Sequence, residues 1–502
     1  MFAARKLLGL VGVLLMTAAF TLAPGAAGAA GAAGAEEVTF TSDGTRLNGT
    51  VFAPPGTGHR RPGLVLVSVS GWMPREELHK MVAPFVDAGV VTFVYEKRTA
   101  GYSATQRSYS RLADDALAAV RLLRARPDVD PDRVGLWGVS EGGWVAPLVA
   151  ARSPEVGFVV LLAASGVQPA RQTAWHLDNL LRHDGVSGPL ALNGVRLAEG
   201  LGQFPEAAFD PASALTRMRQ PVFAVWGADD HTVPPAESMA VVRNALEAGG
   251  NHDYTMRVVS SATHPLARGT TWIVPEFYDL VVAWLKSPEA AGRSDAPPAQ
   301  ERTSLPVEPR TWYESAWAQG GALVLMAVLF SAYLGAGLAG RRRRRRAAAA
   351  QGSARGPEQG SQQGPEQQPQ RGSQLGSQRD SQPEPRRDSQ RDSQRDSRHD
   401  PGMRRTARLL AVCGLLAPLG LVCYVVALLL TQRTGAVGGV VVPYLALRGI
   451  VLLAVAAMAF VAAGWWRARR RITRAERVRL GLLLGGGAVL LPWAAYWGLL
   501  FG

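Results

Sequence analysis

Gly320 to Ala339 is an unbroken run of uncharged, mostly apolar residues, and six arginines, Arg341 to Arg346, follow it at once. Its length matches the roughly 20 residues that a helix needs to cross about 30 Å of hydrocarbon. Inside a bilayer no water satisfies the peptide groups, so such a segment has to be a helix. Three further transmembrane helices are predicted within 409–502, at Leu409 to Leu430, about Gly449 to Trp466, and Leu480 to Phe501. Arg404, Arg405 and Arg408 precede the second span, and Arg467 to Arg471 with Arg474 to Arg479 separate the third from the fourth. After four crossings all these arginines fall on one side, which the positive-inside rule makes cytoplasmic. Everything before Gly320 is then expected outside the cell membrane. The spans hold no Asp, Glu, Lys or His, the groups that transport and proton relays use. A multi-pass anchor in the lipid bilayer is the expectation.

The formal charge of +14 would point to nucleic acid if a globular domain carried it. Between Glu36 and Gln319, however, 26 Lys and Arg face 31 Asp and Glu, a net of −5. The basic excess sits beside the spans, so no nucleic-acid partner is expected. At the other end, Arg5 and Lys6 precede an apolar run from Leu7 and a small-residue stretch that ends in Ala33, Gly34 and Ala35. This predicts a secretory signal peptide over 1–35, cleaved or retained as an anchor, with export of Glu36 onward. Cys413 and Cys423 both lie in the second span, about 15 Å apart along a helix axis and beyond disulfide reach. A domain over 36–286 therefore rests on its core alone. Residues 287–319, rich in Pro, Ala and charge, read as an extended extracytoplasmic stalk. Residues 340–408, dominated by Gln, Ser and Arg with repeated Arg-Asp-Ser-Gln units, lack the apolar content for a core and read as a disordered cytoplasmic linker.

From Val38 to Lys286 short β-rich runs alternate with helical stretches, which predicts an α/β fold with a mostly parallel sheet covered by helices. The runs are Leu47 to Phe52, Leu64 to Val69, Val90 to Tyr95, Val134 to Trp137, Phe158 to Ala163, Val222 to Trp226 and Tyr254 to Val259. Several are apolar throughout, as strands buried on both faces are. An insert over about 168–217 places Trp175, Leu177, Leu180 and Leu181 at helical spacing and reads as a helical lid.

Gly138, Val139, Ser140, Glu141 and Gly142 form G-x-S-x-G between an apolar strand and a helical stretch. Small residues at both ends permit the sharp turn that exposes a serine hydroxyl, with the backbone N–H of Glu141 facing a developing oxyanion. A serine attacks only when a neighbouring base takes its proton, so an acid and a histidine must follow in the order Ser, Asp, His. Asp229 and Asp230 follow the run Val222 to Trp226, and His264 follows Tyr254 to Val259. Both turns lie at the C-terminal edge of the sheet, where open α/β sheets bind ligands. Position alone leaves the two aspartates undistinguished. His252 falls at the opposite edge, His59 and His79 precede the serine, and His176 and His183 read as exposed faces of the lid.

Tyr95 to Ser103 (YEKRTAGYS), Gly135 to Gly143 (GLWGVSEGG), Pro221 to Pro234 (PVFAVWGADDHTVP) and Ala262 to Leu266 (ATHPL) carry a resemblance. With them, the stretch from Gly63 to Lys286 resembles the α/β-hydrolase superfamily, and within it bacterial carboxylesterases of the dienelactone hydrolase and prolyl oligopeptidase-like branches. The resemblance implies an α/β-hydrolase fold with Ser140, Asp230 and His264 as catalytic residues, since the acid of such proteins usually falls three residues after the glycine, here Gly227. Asp229 is the fallback. It also implies an oxyanion hole built from the backbone N–H groups of Glu141 and Trp72, and neither metal nor cofactor. Two departures stand out: Ser68, Val69, Ser70, Gly71 and Trp72 replace the usual His-Gly loop, and Val139 occupies a position where histidine is frequent. The implied function is membrane-anchored, extracytoplasmic cleavage of a small-molecule carboxylic ester or other acyl substrate. The alternatives are a prolyl oligopeptidase-like peptidase, disfavoured because no propeller precedes the domain, and a catalytically silent receptor or scaffold.

Overall fold

The computed structural model describes residues 34–56, 60–103, 105–287, 294–353, 401–470 and 472–501. Nearly all of the predicted signal peptide, and most of the predicted linker, lie outside the described residues. Eight strands form one sheet: β1 (Ala35–Ser42), β2 (Thr45–Phe52), β3 (Arg61–Val67), β4 (Val91–Tyr95), β5 (Val129–Val139), β6 (Phe158–Leu162), β7 (Val222–Gly227) and β8 (Tyr254–Val259). Their order is β1-β2-β4-β3-β5-β6-β7-β8. β3 to β8 run parallel, while β2 pairs antiparallel with β1 and β4. β1 had no counterpart among the expected strands. It is joined to β2 through Asp43 and Gly44, both at positive φ (+47° and +68°), the backbone of a tight hairpin turn whose twist suits the strands.

Apolar side chains leave both faces of the central strands. On one face Trp137 and Phe223 pack against Phe85 of α1 (Arg75–Asp87) and against Phe277 and Trp284 of α8 (Pro275–Lys286). On the other, Trp226 packs with Leu123 of α2 (Tyr109–Arg124), Trp144 of α3 (Gly142–Arg152) and Leu246 of α7 (Pro235–Ala248). The insert between β6 and β7 carries α4 (Pro169–His183), α5 (Leu190–Gly200) and α6 (Pro211–Leu215). These are the helices expected for a lid.

The stretch expected to form an extended stalk instead straps itself to the domain. Asp295 donates its N–H to Met256 O at 2.9 Å and accepts from Val258 N at 2.8 Å. Ser304 donates to Glu237 at 2.7 Å and accepts from Arg171 at 2.6 Å. β8 is an edge strand with backbone groups in need of partners, and the strap supplies them.

Among the described residues, four helices are long and apolar enough to cross a membrane: α9 (Ala316–Ser353), α10 (Pro401–Thr431), α11 (Val442–Ala468) and α12 (Arg474–Tyr496). α9 continues past Ala339 through the arginines, and α10 begins at Pro401, so 340–353 and 401–408 are helical where the sequence reading has them disordered. Alanine and arginine are strong helix formers, and a helix already nucleated in the apolar run extends into them at little cost. By chain direction, the arginine blocks at 341–346, 404–408 and 467–479 gather at one end of the bundle. The hydrolase-like domain packs on the other end through its lid. Asn193 donates to Tyr496 O at 2.7 Å, Arg196 meets Glu314 at 3.4 Å, and Thr434 donates to Asp184. Leu177, Leu181 and Val195 of the lid share one apolar core with Leu421, Val425 and Trp493 of the bundle.

Candidate active site

β5 ends at Val139, and the chain turns into α3 within three residues. Ser140 sits at φ +54°, a left-handed conformation that costs a non-glycine residue about 1–3 kcal/mol and persists only where the surroundings enforce it. The enforcement is visible in the flanking glycines. A Cβ on Gly138 would lie 2.3 Å from Gly142 O, and one on Gly142 would lie 2.0 Å from Val67 O. Ser140 N donates to Leu162 O at 2.9 Å, and Trp144 Nε1 donates to Ser165 O at 2.9 Å, which ties the turn and the first turn of α3 to β6.

The loops after β7 and β8 bring two more side chains to this turn. His264 Nε2 lies 3.0 Å from Ser140 Oγ, and His264 Nδ1 lies 2.8 Å from Asp230 Oδ2. With Nδ1–H donated to the carboxylate, Nε2 presents its lone pair to the serine hydroxyl. Asp230 is buried, and its second oxygen accepts from Thr232 N and Val233 N, each at 2.8 Å. Asp229 is exposed beside it and engages Ala262 O through its backbone. Of the two aspartates, Asp230 is the one that meets His264.

A second cluster lies beneath the turn. The Glu141 carboxylate, 1 % exposed, receives Lys97 Nζ at 2.7 Å, Arg107 at 2.8 Å and the Tyr102 hydroxyl at 2.8 Å. Burial alone would push this carboxyl up, but the Lys97 ammonium and the Arg107 guanidinium outweigh it and hold Glu141 below the usual carboxylate range. Burial lowers Lys97, against the opposing pull of Glu141. Lys97 also donates to Val69 O, and Gly71 N donates to the Tyr102 oxygen at 2.8 Å. The cluster thus ties the serine turn to the loop of Ser68 to Trp72. Sequence reasoning used only the backbone of Glu141. Lys97 and Tyr102 are legible only through the rule that an acidic residue directly after the serine needs a buried cationic partner if it points inward.

Trp72 is 76 % exposed and stands at the rim of a cavity of about 1740 Å³ that contains Ser140 and His264. His176, expected on an exposed lid face, also lines this cavity, with Nδ1 3.4 Å from His231 O. Burial holds its imidazole below the ordinary histidine value. The cavity does not end at the lid but continues onto α10 of the bundle.

A parallel sheet, a serine on a glycine-bounded strand-to-helix turn, and the turns after β7 and β8 converging on it define an α/β-hydrolase fold. Residues 99–288 match the prolyl oligopeptidase family, in agreement with the superfamily and branch that the motifs suggest. Among curated relatives, the thiohydrolase apmlB of Arthrinium phaeospermum is 28 % identical over 138 residues, which cover 26 % of this chain and 44 % of that protein. YfhR of Escherichia coli K12 is 34 % identical over 112 residues, covering 22 % of this chain and 39 % of its own. The chain thus spans less than half the length of these relatives. Among solved structures, esterase 2 of Thermogutta terrifontis, phosphoramylated by tabun, aligns at 20 % identity with a TM-score of 0.38, over 51 % of this chain and 95 % of that one.

Proposed function

We propose that the protein is a membrane-anchored serine hydrolase that cleaves carboxylic esters on the extracytoplasmic side. The observation that carries this reading is the contact of one imidazole with both the Ser140 hydroxyl and the buried Asp230 carboxylate, at 3.0 and 2.8 Å. Ser140 Oγ attacks the acyl carbon as its proton passes to His264 Nε2, and the carbonyl oxygen becomes an oxyanion. Asp230 orients the ring and stabilises the imidazolium that forms. The backbone N–H of Glu141, at the N-cap of α3, and that of Trp72 are the oxyanion donors in this reading, and the helix N-terminus adds positive potential. Collapse of the tetrahedral intermediate returns the proton to the departing alkoxide and leaves an acyl-serine. A water molecule activated by the same imidazole then releases the acid and restores Ser140.

The membrane orientation rests on the arginine blocks gathering at the bundle end remote from the catalytic domain. The experiment is labelling of the purified full-length protein by a fluorophosphonate, which reports an activated serine whatever the substrate. Hydrolysis of p-nitrophenyl esters and of peptide amides is measured alongside. Labelling with ester turnover is the expected result; folded protein that stays unlabelled would leave a silent scaffold. The match to the prolyl oligopeptidase family favours one second reading, a peptidase, which predicts that amides are cleaved in preference to esters.

A further inference from the structure

The serine cavity has an unusual floor. At about 1740 Å³ it exceeds the roughly 300–1,000 Å³ of most small-molecule sites. Away from Ser140 it passes Leu197 and Leu201 of the lid and reaches Leu421, Val425, Val426 and Leu430 of α10. Leu421 lies ten residues before the end of α10 at Thr431, about 15 Å along the axis at 1.5 Å per residue, or half of a hydrocarbon core of about 30 Å. The lining therefore follows α10 to the depth of one leaflet, the leaflet on the side of the catalytic domain.

Two independent observations bear on what enters. First, the lid is not free to swing. Arg196, 4 % exposed, donates to Val307 O at 2.8 Å and pairs with Glu314, so lifting α5 would strand a buried charge. Gly194 brings α5 so close that a Cβ there would stand 3.0 Å from Val425. Access by a hinged lid opening to water is disfavoured, and the cavity lining that remains beside it is the apolar side of α10. Second, Trp72, Trp272 and Trp317 line the cavity with 76 %, 38 % and 69 % of their surfaces exposed. Of the three, Trp317 stands at the start of α9, and an exposed tryptophan at the end of a spanning helix is characteristic of the bilayer interface.

We infer that the hydrolase proposed above acts on long-chain acyl esters of the bilayer itself, which reach Ser140 laterally with the acyl chain lying along the outer half of α10. The ester carbonyl stops at Ser140, the chain occupies the apolar floor, and the leaving alcohol faces the interface beside Trp72. This rests on the hydrolase reading, and the test separates the two. Full-length protein in nanodiscs is assayed on p-nitrophenyl butyrate, on p-nitrophenyl palmitate dissolved in the same disc, and on palmitate ester supplied in separate protein-free discs. Wild type is expected to favour palmitate over butyrate by at least tenfold in kcat/KM, at a rate set by the mole fraction of ester in its own disc. Val426→Trp and, as a second variant, Leu430→Trp are expected to lower the palmitate-to-butyrate ratio at least tenfold, with fluorophosphonate labelling of Ser140 as the check that each has folded. If neither ester is cleaved, the hydrolase reading fails. If butyrate is cleaved as well as palmitate, or both tryptophan variants keep the wild-type ratio, the acyl channel is wrong while the hydrolase stands. Equal rates on ester in separate discs would show delivery through water and overturn the lateral route.

Discussion

Ser140 stands on a turn whose backbone geometry dictates the residues on either side of it. Gly138 and Gly142 admit no side chain, and a motif recording that constraint located Ser140. Asp230 and Asp229 differ only in which way the turn after β7 throws them, and that depends on Thr232 N and Val233 N, which no spacing rule reveals. Ser140→Ala is expected to abolish ester hydrolysis while the melting temperature stays near wild type, because no core cavity is opened; a residual rate near wild type would remove Ser140 from the mechanism. Asp230→Asn is expected to cost on the order of 10²–10⁴ in kcat and Asp229→Asn less than tenfold. The opposite ranking would transfer the role of acid to Asp229. Glu141→Gln tests the cluster beneath the turn. It strands Lys97 and Arg107 and is expected to cost about 3–5 kcal/mol, read as a lower melting temperature at pH 7. Because Glu141 is held below the ordinary carboxylate range, its stabilisation is present above the unfolded value of about 4.3 and is lost as pH falls through the lower folded value. Wild type is accordingly expected to melt earlier below about pH 4, and Glu141→Gln to lose that part of the slope. Identical slopes would show that the carboxylate is not charged in the folded protein.

At the level of elements, the buried strands and the four spans were legible because each is an apolar run of characteristic length. β1 was not. It is an edge strand whose Val38 and Phe40 are only partly covered while Glu36 and Glu37 face solvent, so its alternation is short and weak. The strap over 294–311 has the composition of a linker, and what holds it are side-chain hydrogen bonds of Asp295, Gln300 and Ser304 with groups distant in sequence, which composition does not reveal. The meeting of α5 with α10 was equally invisible, since Gly194, which permits the close approach to Val425, carries no signal of its own in the sequence. Gly194→Leu is expected to push α5 away from Val425 and to cost about 1–3 kcal/mol as overpacking, measured as a fall in melting temperature of the full-length protein in detergent. An unchanged melt would mean that the two helices separate at no cost.

For the molecule as a whole, charge distribution told more than net charge. Moving the block Arg341 to Arg346 across a bilayer is far costlier than retaining it, so in spheroplasts external protease is expected to cut within the segment from Glu36 to about Pro309. The 354–400 segment should stay protected until the membrane is broken; if it is cut first, the orientation is inverted. The shared core of lid and bundle also bears on any attempt to study the domain alone. A fragment ending at Lys286 would bare Leu177, Leu181 and Val195, and it is expected to aggregate unless detergent covers that face.

The same contact has a consequence in time. Asn193 and its partner Tyr496 are 303 residues apart in sequence, a distance that translation at about 5–20 residues per second takes about 15–60 s to cover. Throughout that interval the lid waits with its bundle-facing side incompletely covered, because α12 is the last helix to be made. The packing of lid on bundle is therefore among the last contacts of the chain to form.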